Sequence, residues 1–258
     1  MVVNQIGAGF HAVYQDLELR WRAQADAEGR VYLPNAEPSG PVDYLFIDQE
    51  PSFGSWALDM GNAKQRVEAG FLNYVSPGRR PSLGNYAMPF AIQHYLCEPG
   101  QQYFITDISK GAMLVEEAKI DQTERWDRWY SLLLDEVRLV AKPGAPIFAF
   151  GKSVEEYLVR RHFPRPITSV LHYSPLAASH RDACIKGREE SFRQFKASIT
   201  PELLLATAKR VLQPVSADVR DYAVARLART QLSESALKLI FCYKLAFERY
   251  KMTHRQRP

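Results

Sequence analysis

Four short apolar runs in this chain each stop at residues able to do chemistry. The run at 44–48 leads into Gln49, Glu50, Pro51 and Ser52. The run at 102–108 carries Asp107 near its end and leads into Ser109, Lys110 and Gly111. The run at 146–150 leads into Gly151, Lys152 and Ser153, and the run at 169–172 ends in His172 and leads into Tyr173, Ser174 and Pro175. Carboxyl groups such as Glu50 and Asp107 can act as acid or base, or can stabilise positive charge. A histidine such as His172 changes protonation near neutral pH. Small hydroxyls, glycines and lysines at strand-to-helix turns can hold a phosphate, helped by helix N-termini. Each residue also has an ordinary explanation: an acidic strand end as a turn, a histidine satisfied inside a core, a serine as a helix cap. What matters is whether the four ends meet.

The apolar periodicity predicts elements that would make them meet. Three of the four runs are nearly continuously apolar, as strands covered on both faces are. Helical spacing marks 9–25, where Phe10, Val13, Tyr14 and Leu17 share a face, and also 85–96, 126–140 and 154–161. Strand alternating with helix predicts an α/β fold, a three-layer αβα arrangement around a central four-stranded, mainly parallel sheet. Ligands bind beyond the carboxyl ends of such sheets. If the strands are parallel, Glu50, Asp107, His172, Ser52, Ser109, Ser153 and Ser174 converge, flanked by Lys110 and Lys152. Further helices are expected over 200–212, 218–229 and 233–253, the last with Leu237, Ile240, Phe241, Lys244, Leu245 and Phe247 in amphipathic order.

Composition narrows the class. The 258 residues are 46% hydrophobic and 24% charged, as globular chains are. The three cysteines, Cys97, Cys184 and Cys242, are far apart and odd in number, which argues against a disulfide framework and for a reducing, cytoplasmic setting in the cytosol or nucleoid. Neither a signal peptide nor an apolar stretch near the ~20 residues of a membrane span is legible. No metal or cofactor motif stands out. Charge is uneven: residues 151–258 hold 20 Lys and Arg against 10 Asp and Glu, a net of +10, and residues 1–150 hold 13 against 19, a net of −6. A basic C-terminal portion suits either a polyanionic partner or a set of solvated helices.

Several segments resemble motifs of the uracil-DNA glycosylase superfamily, in the family's order, over about residues 43–195. "HYSPLAASHR" at 172–181 resembles its His-Pro-Ser-Pro-Leu loop, and "IDQEPSFG" resembles its Gly-Gln-Asp-Pro motif. "YVSPGRRPSLGN" at 74–85 resembles a segment ending Pro-Ser-Leu-x-Asn. "YFITDISKG" at 103–111 resembles the strand that ends in a base-reading asparagine. The resemblance implies a monofunctional DNA glycosylase of base excision repair that flips a damaged base into a pocket. It implies no metal or cofactor, DNA as the partner, and a monomer away from membranes. Glu50 falls on the carboxylate that stabilises the sugar cation and positions water, and His172 on the donor to the departing base. Leu176 falls on the wedge that fills the gap in the stack. Gln49 would touch the base through its backbone, and Phe71 or Tyr74 would cover it. Ser52, Ser82, Lys110, Lys152, Ser153, Ser174 and Arg181 form the expected DNA-binding set. Residues 1–195 would make the glycosylase-like domain, and 196–258 a helical extension packed on it or widening the DNA footprint.

Three departures from the motifs shape the expectation. Glu50 replaces an aspartate and reaches one methylene further. Ser52 stands where the best-studied branch has a tyrosine that excludes 5-methyl groups, which motivates a pocket for uracil and other deaminated bases, hypoxanthine and xanthine among them. Asp107 replaces an asparagine; ionised it only accepts, so it is protonated, or binds only an N–H, or acts on water. Two rival classes are a non-catalytic nucleic-acid-binding protein of the same fold and a serine hydrolase using Ser174 or Ser179. The second is disfavoured because no Gly-x-Ser-x-Gly elbow is present.

Overall fold

The structure, a computed structural model, describes residues 2–33, 35, 37–53, 82–174, 177–213 and 216–254. The chain divides into two compact units, Met1–Gly70 with Gln101–Ser169, and Phe71–Gly100 with Val170–Pro258.

The first unit is α/β. It begins with helix α1 (Val2–Ala27), which presents Phe10, Tyr14, Leu17, Trp21 and Ala25 at helical spacing, all buried. Its central sheet has the order β4 (Tyr103–Asp107), β2 (Tyr44–Asp48), β6 (Ile147–Phe150), β7 (Ile167–Val170). Strand β2 is parallel to both β4 and β6, with Leu45 opposite Phe104 and Ile147. Leu45, Phe46, Ile47, Phe148, Ala149 and Phe150 are each 0% exposed, so both faces of the sheet are covered, as in buried parallel sheets. One face packs Leu45, Ile47 and Phe104 against α1 and α3 (Gln122–Val140), with Trp21, Trp129 and Val137 in the same core. The other stacks Phe46 on Phe148 and Phe150, at ring separations of 4.8 and 5.3 Å. Gly151 joins β6 to α4 (Lys152–Arg160) at φ 84, a backbone angle that disfavours any side chain.

The fourth strand begins two residues before the expected 169–172. Its ladder follows Pro166 and uses the β-branched Ile167, Thr168 and Val170, residues that suit a pleated surface better than Leu171 and His172 do. A second, smaller sheet has no counterpart in the sequence reading. It joins β1 (Val31–Tyr32), β5 (Gly111–Leu114) and β3 (Ser52–Phe53), with β5 in the middle. Two-residue strands carry no periodicity to read.

The second unit is helical. A 3₁₀ turn (Leu83–Tyr86) leads into α2 (Ala87–Ala91) and a π turn (Ile92–Leu96). Then come α5 (Ala178–Ile185), α6 (Glu189–Ser198), α7 (Pro201–Val211), α8 (Ala217–Leu227) and α9 (Glu234–His254). Helix α9 packs against α2, the π turn, α5 and α6. Its Phe241 meets Phe192 and Phe195 of α6 at 5.4 and 5.1 Å. The boundary read from the sequence at 195 therefore falls inside this unit, because α5 and α6 share their apolar faces with the C-terminal helix. No helix among the described residues is long and apolar enough to cross a membrane.

Candidate active site at the carboxyl edge of the sheet

Strands β2 and β4 stay paired past their ends. Ile108 N donates to Asp48 O at 2.9 Å, and Ser109 N donates to Gln49 O at 3.2 Å. Asp48 and Asp107 are register partners in this ladder. Alternation puts both on the face opposite Ile47 and Thr106. Asp48 is 4% exposed, and its Oδ1 accepts from Gln49 N at 2.9 Å. Asp107 keeps part of its surface exposed, yet its carboxyl is densely surrounded. Burial first, and then the negative charge of Asp48, raise the Asp107 carboxyl from 3.8 to about 7; Lys110 and Asn35 pull the other way.

Asn35 connects this pair to a buried network. Its Nδ2 donates to Asp107 Oδ2 at 3.1 Å, and its Oδ1 accepts from Lys110 Nζ at 2.9 Å. An ammonium only donates, so Lys110 fixes which way the Asn35 amide faces. Lys110 Nζ also donates to Thr106 Oγ1, pairs with Glu136 Oε2 at 3.1 Å, and lies 4.7 Å from the Trp21 ring centre. Thr106 Oγ1 in turn donates to Glu136 Oε2 at 2.7 Å. Burial raises the Glu136 carboxyl against the pull of Lys110 and Thr106. Lys110 is 1% exposed. The DNA contact expected of it is therefore corrected: its charge is spent inside the unit on Glu136, and no phosphate can reach it.

Glu50 is also committed within the unit. Its Oε1 accepts from Arg125 Nη2 at 3.0 Å and its Oε2 accepts from Trp126 Nε1, both on α3. The Glu50 side chain is 1% exposed and that of Arg125 4%. Burial raises the Glu50 carboxyl, and the bonds from Trp126 and Arg125 oppose the rise. Where the sequence motif suggested a carboxylate facing a sugar, the structure turns Glu50 onto α3. Gln49 ties the edge together: its Nε2 donates to Ser153 Oγ at 2.9 Å, and its Oε1 accepts from Gln122 Nε2 at 3.5 Å. Lys152 is exposed and pairs with Glu156 one turn along α4. Ser52 is exposed on β3.

In the second unit, His172 Nδ1 accepts from Ser174 N at 3.1 Å. With Nδ1 accepting, the neutral ring carries its proton on Nε2. The His172 ring stacks on Tyr173 at 4.6 Å. Arg181 is 5% exposed and donates to Tyr173 O and Ser174 O, both at 3.3 Å. It holds the loop from beneath, which corrects its expected role as a DNA contact. Ser82 accepts from Gly84 N at 3.2 Å, as the cap of its 3₁₀ turn. Phe71, Tyr74 and Leu176 lie outside the described residues.

The residues missed by sequence reasoning are Asp48, Asn35, Arg125 and Trp126. Asp48 ends the first apolar run and, in the sequence alone, reads as a turn residue. Asn35 sits in a loop far from either strand, and nothing in its surroundings marks it. Together the fold and the site define an α/β protein with a carboxyl pair at the carboxyl edge of a parallel sheet. No family model matches the chain, and no curated protein or solved structure does either. Among the described residues, no group of three or more His, Cys, Asp or Glu could hold a metal ion.

Proposed function

We propose that the protein is a monofunctional DNA glycosylase that hydrolyses the N-glycosidic bond of uracil and of other deaminated bases, hypoxanthine and xanthine among them, in base excision repair. The observation that carries this reading is the in-register pair Asp48 and Asp107 at the carboxyl edge, with Asp107 lifted to about 7. As the C1′–N bond breaks, the sugar gains positive charge and the base gains negative charge. A carboxylate pair favours the first. A carboxyl that titrates near neutral pH can take the proton of the attacking water. His172, whose Nδ1 accepts from Ser174 N, is the donor to the departing base that the resemblance implies. The basic 151–258 portion adds attraction for a polyanion.

One observation favours a second reading, a non-catalytic nucleic-acid-binding protein: the Glu50 carboxylate is fully engaged by Arg125 and Trp126. The two readings separate on labelled oligonucleotides carrying a single uracil, hypoxanthine or xanthine. Strand breakage that appears only after alkali supports the glycosylase. Asp107→Asn is expected to slow excision by roughly 10²–10⁴-fold, the range for loss of a general base. Binding without breakage for every base would leave the non-catalytic protein.

A further inference from the structure

Cys184 and Cys242 lie far apart in the sequence and meet in the second unit. Cys184 is half-buried on α5, and Cys242 is buried on α9, which packs against α5. Cys242 Sγ reaches to 4.0 Å from Arg181 O, one turn before Cys184 on the same helix. The two thiols lie near enough to shift each other's ionisation. Neither is in a disulfide.

We propose that Cys184 and Cys242 form a redox-active dithiol that reacts with low-molecular-weight disulfides such as oxidised glutathione, with Cys184 as the attacking thiol and Cys242 as the resolving one. The roles follow from placement. Cys184 has exposed surface for an incoming disulfide and Cys242 has little. The chemistry of the pair agrees. The neighbouring Cys242 thiol, and then the cations of Arg188 and Arg249, lower the Cys184 thiol to about 7, so much of it is thiolate at neutral pH. The neighbouring Cys184 thiol, reinforced by burial, pushes Cys242 well above the usual thiol range and keeps it protonated. This is the division of labour that disulfide exchange requires.

The reaction balances in two steps. The Cys184 thiolate attacks one sulfur of oxidised glutathione, the S–S bond breaks, and one glutathione thiolate leaves. Cys242 then loses its proton to solvent and attacks the Cys184 sulfur, and the second glutathione thiolate leaves. The protein gives up two electrons as a dithiol becomes a disulfide, and the oxidant becomes two thiols. The new bond ties α5 to α9 one turn from Arg181, the residue that holds the His172 loop.

The test uses the full chain, first reduced and then exposed to oxidised glutathione, quenched with acid and mapped by mass spectrometry. The expected product is one intramolecular bond joining Cys184 to Cys242, with Cys97 unmodified. Cys242→Ser should stall with glutathione on Cys184, and Cys184→Ser should take up none at Cys242. In the reduced wild type, Cys184 should be alkylated severalfold faster than Cys97 at pH 7, and this holds even if a serine variant fails to fold. Equal alkylation rates, glutathione accumulating on wild-type Cys184 without resolution, or a bond to Cys97 would each overturn the proposal.

Discussion

Asp48 and Asp107 stand opposite one another as register partners on adjacent parallel strands, and after burial the charge of Asp48 is the largest influence lifting Asp107 to about 7. Two carboxyl groups this close make the ionisation of Asp107 the more costly while Asp48 is charged. Removing the first charge is therefore the most direct perturbation. Asp48→Asn should bring the Asp107 midpoint down toward the ordinary carboxylate range, read by carbon NMR of the Asp107 carboxyl. If excision depends on Asp107 as a base, its pH profile should move in the same direction. An unmoved midpoint would remove Asp48 from the account.

The raised Asp107 carboxyl also predicts how stability varies with pH. The folded protein keeps the Asp107 proton up to about 7, whereas an unfolded aspartate releases it near 3.8. Between those values the folded state binds a proton that the unfolded state does not, so this group's contribution falls as pH rises across the window. Asp107→Asn carries no such penalty. Its melting temperature relative to wild type should rise between pH 4 and pH 8. A constant difference across that range would mean that Asp107 is not raised.

Lys110 and Glu136 are paired out of contact with water, at 1% and 0% side-chain exposure. Lys110→Met leaves Glu136 buried without its cation and should cost about 3–5 kcal/mol in urea unfolding. Lys110→Met with Glu136→Met should recover most of that loss, since no lone charge remains. The single variant should also raise the Asp107 midpoint, because the nearby cation is gone and Asn35 is no longer held in one orientation. Additive losses in the double variant would refute the pairing.

Glu50 and Arg125 give a parallel case with a different bearing on function. Arg125→Met strands the Glu50 carboxylate and should cost about 3–5 kcal/mol, as breaking a buried pair does. Glu50→Gln keeps an acceptor for Trp126 Nε1 and should cost less. If excision survives Glu50→Gln at near wild-type rate and is lost in Asp107→Asn, the reacting carboxylate is Asp107 and Glu50 anchors α3. The opposite pattern would return Glu50 to the reaction.

Much of the α/β fold was legible because its signals are local. The runs at 44–48 and 146–150 are short and almost wholly apolar, as strands buried on both faces are, and both sit in the central sheet. The Trp126–Leu133–Val137 stripe marks α3 in the same way. Gln49 and Ser153, which follow two separate strands, hydrogen-bond to each other. Charge assignments fared worse, and Lys110 is the clearest example. A lysine after a strand reads as a phosphate ligand until the fold brings Glu136, Thr106 and Trp21 around it.

By itself the sequence marked the central strands and the longer helices, and showed that carboxyl groups, amides and hydroxyls stand where those strands stop. Those properties follow from side-chain period and from turn chemistry, both written within a few residues. Only the tertiary structure decided what each polar group does. Asp48 meets Asp107 because two strands 59 residues apart pair in register, Glu50 meets Arg125 across a separation of 75 residues, and Cys184 meets Cys242 because α5 packs on α9. A polar side chain's protonation and reach are set by the partners around it in space, and those partners come from distant parts of the chain.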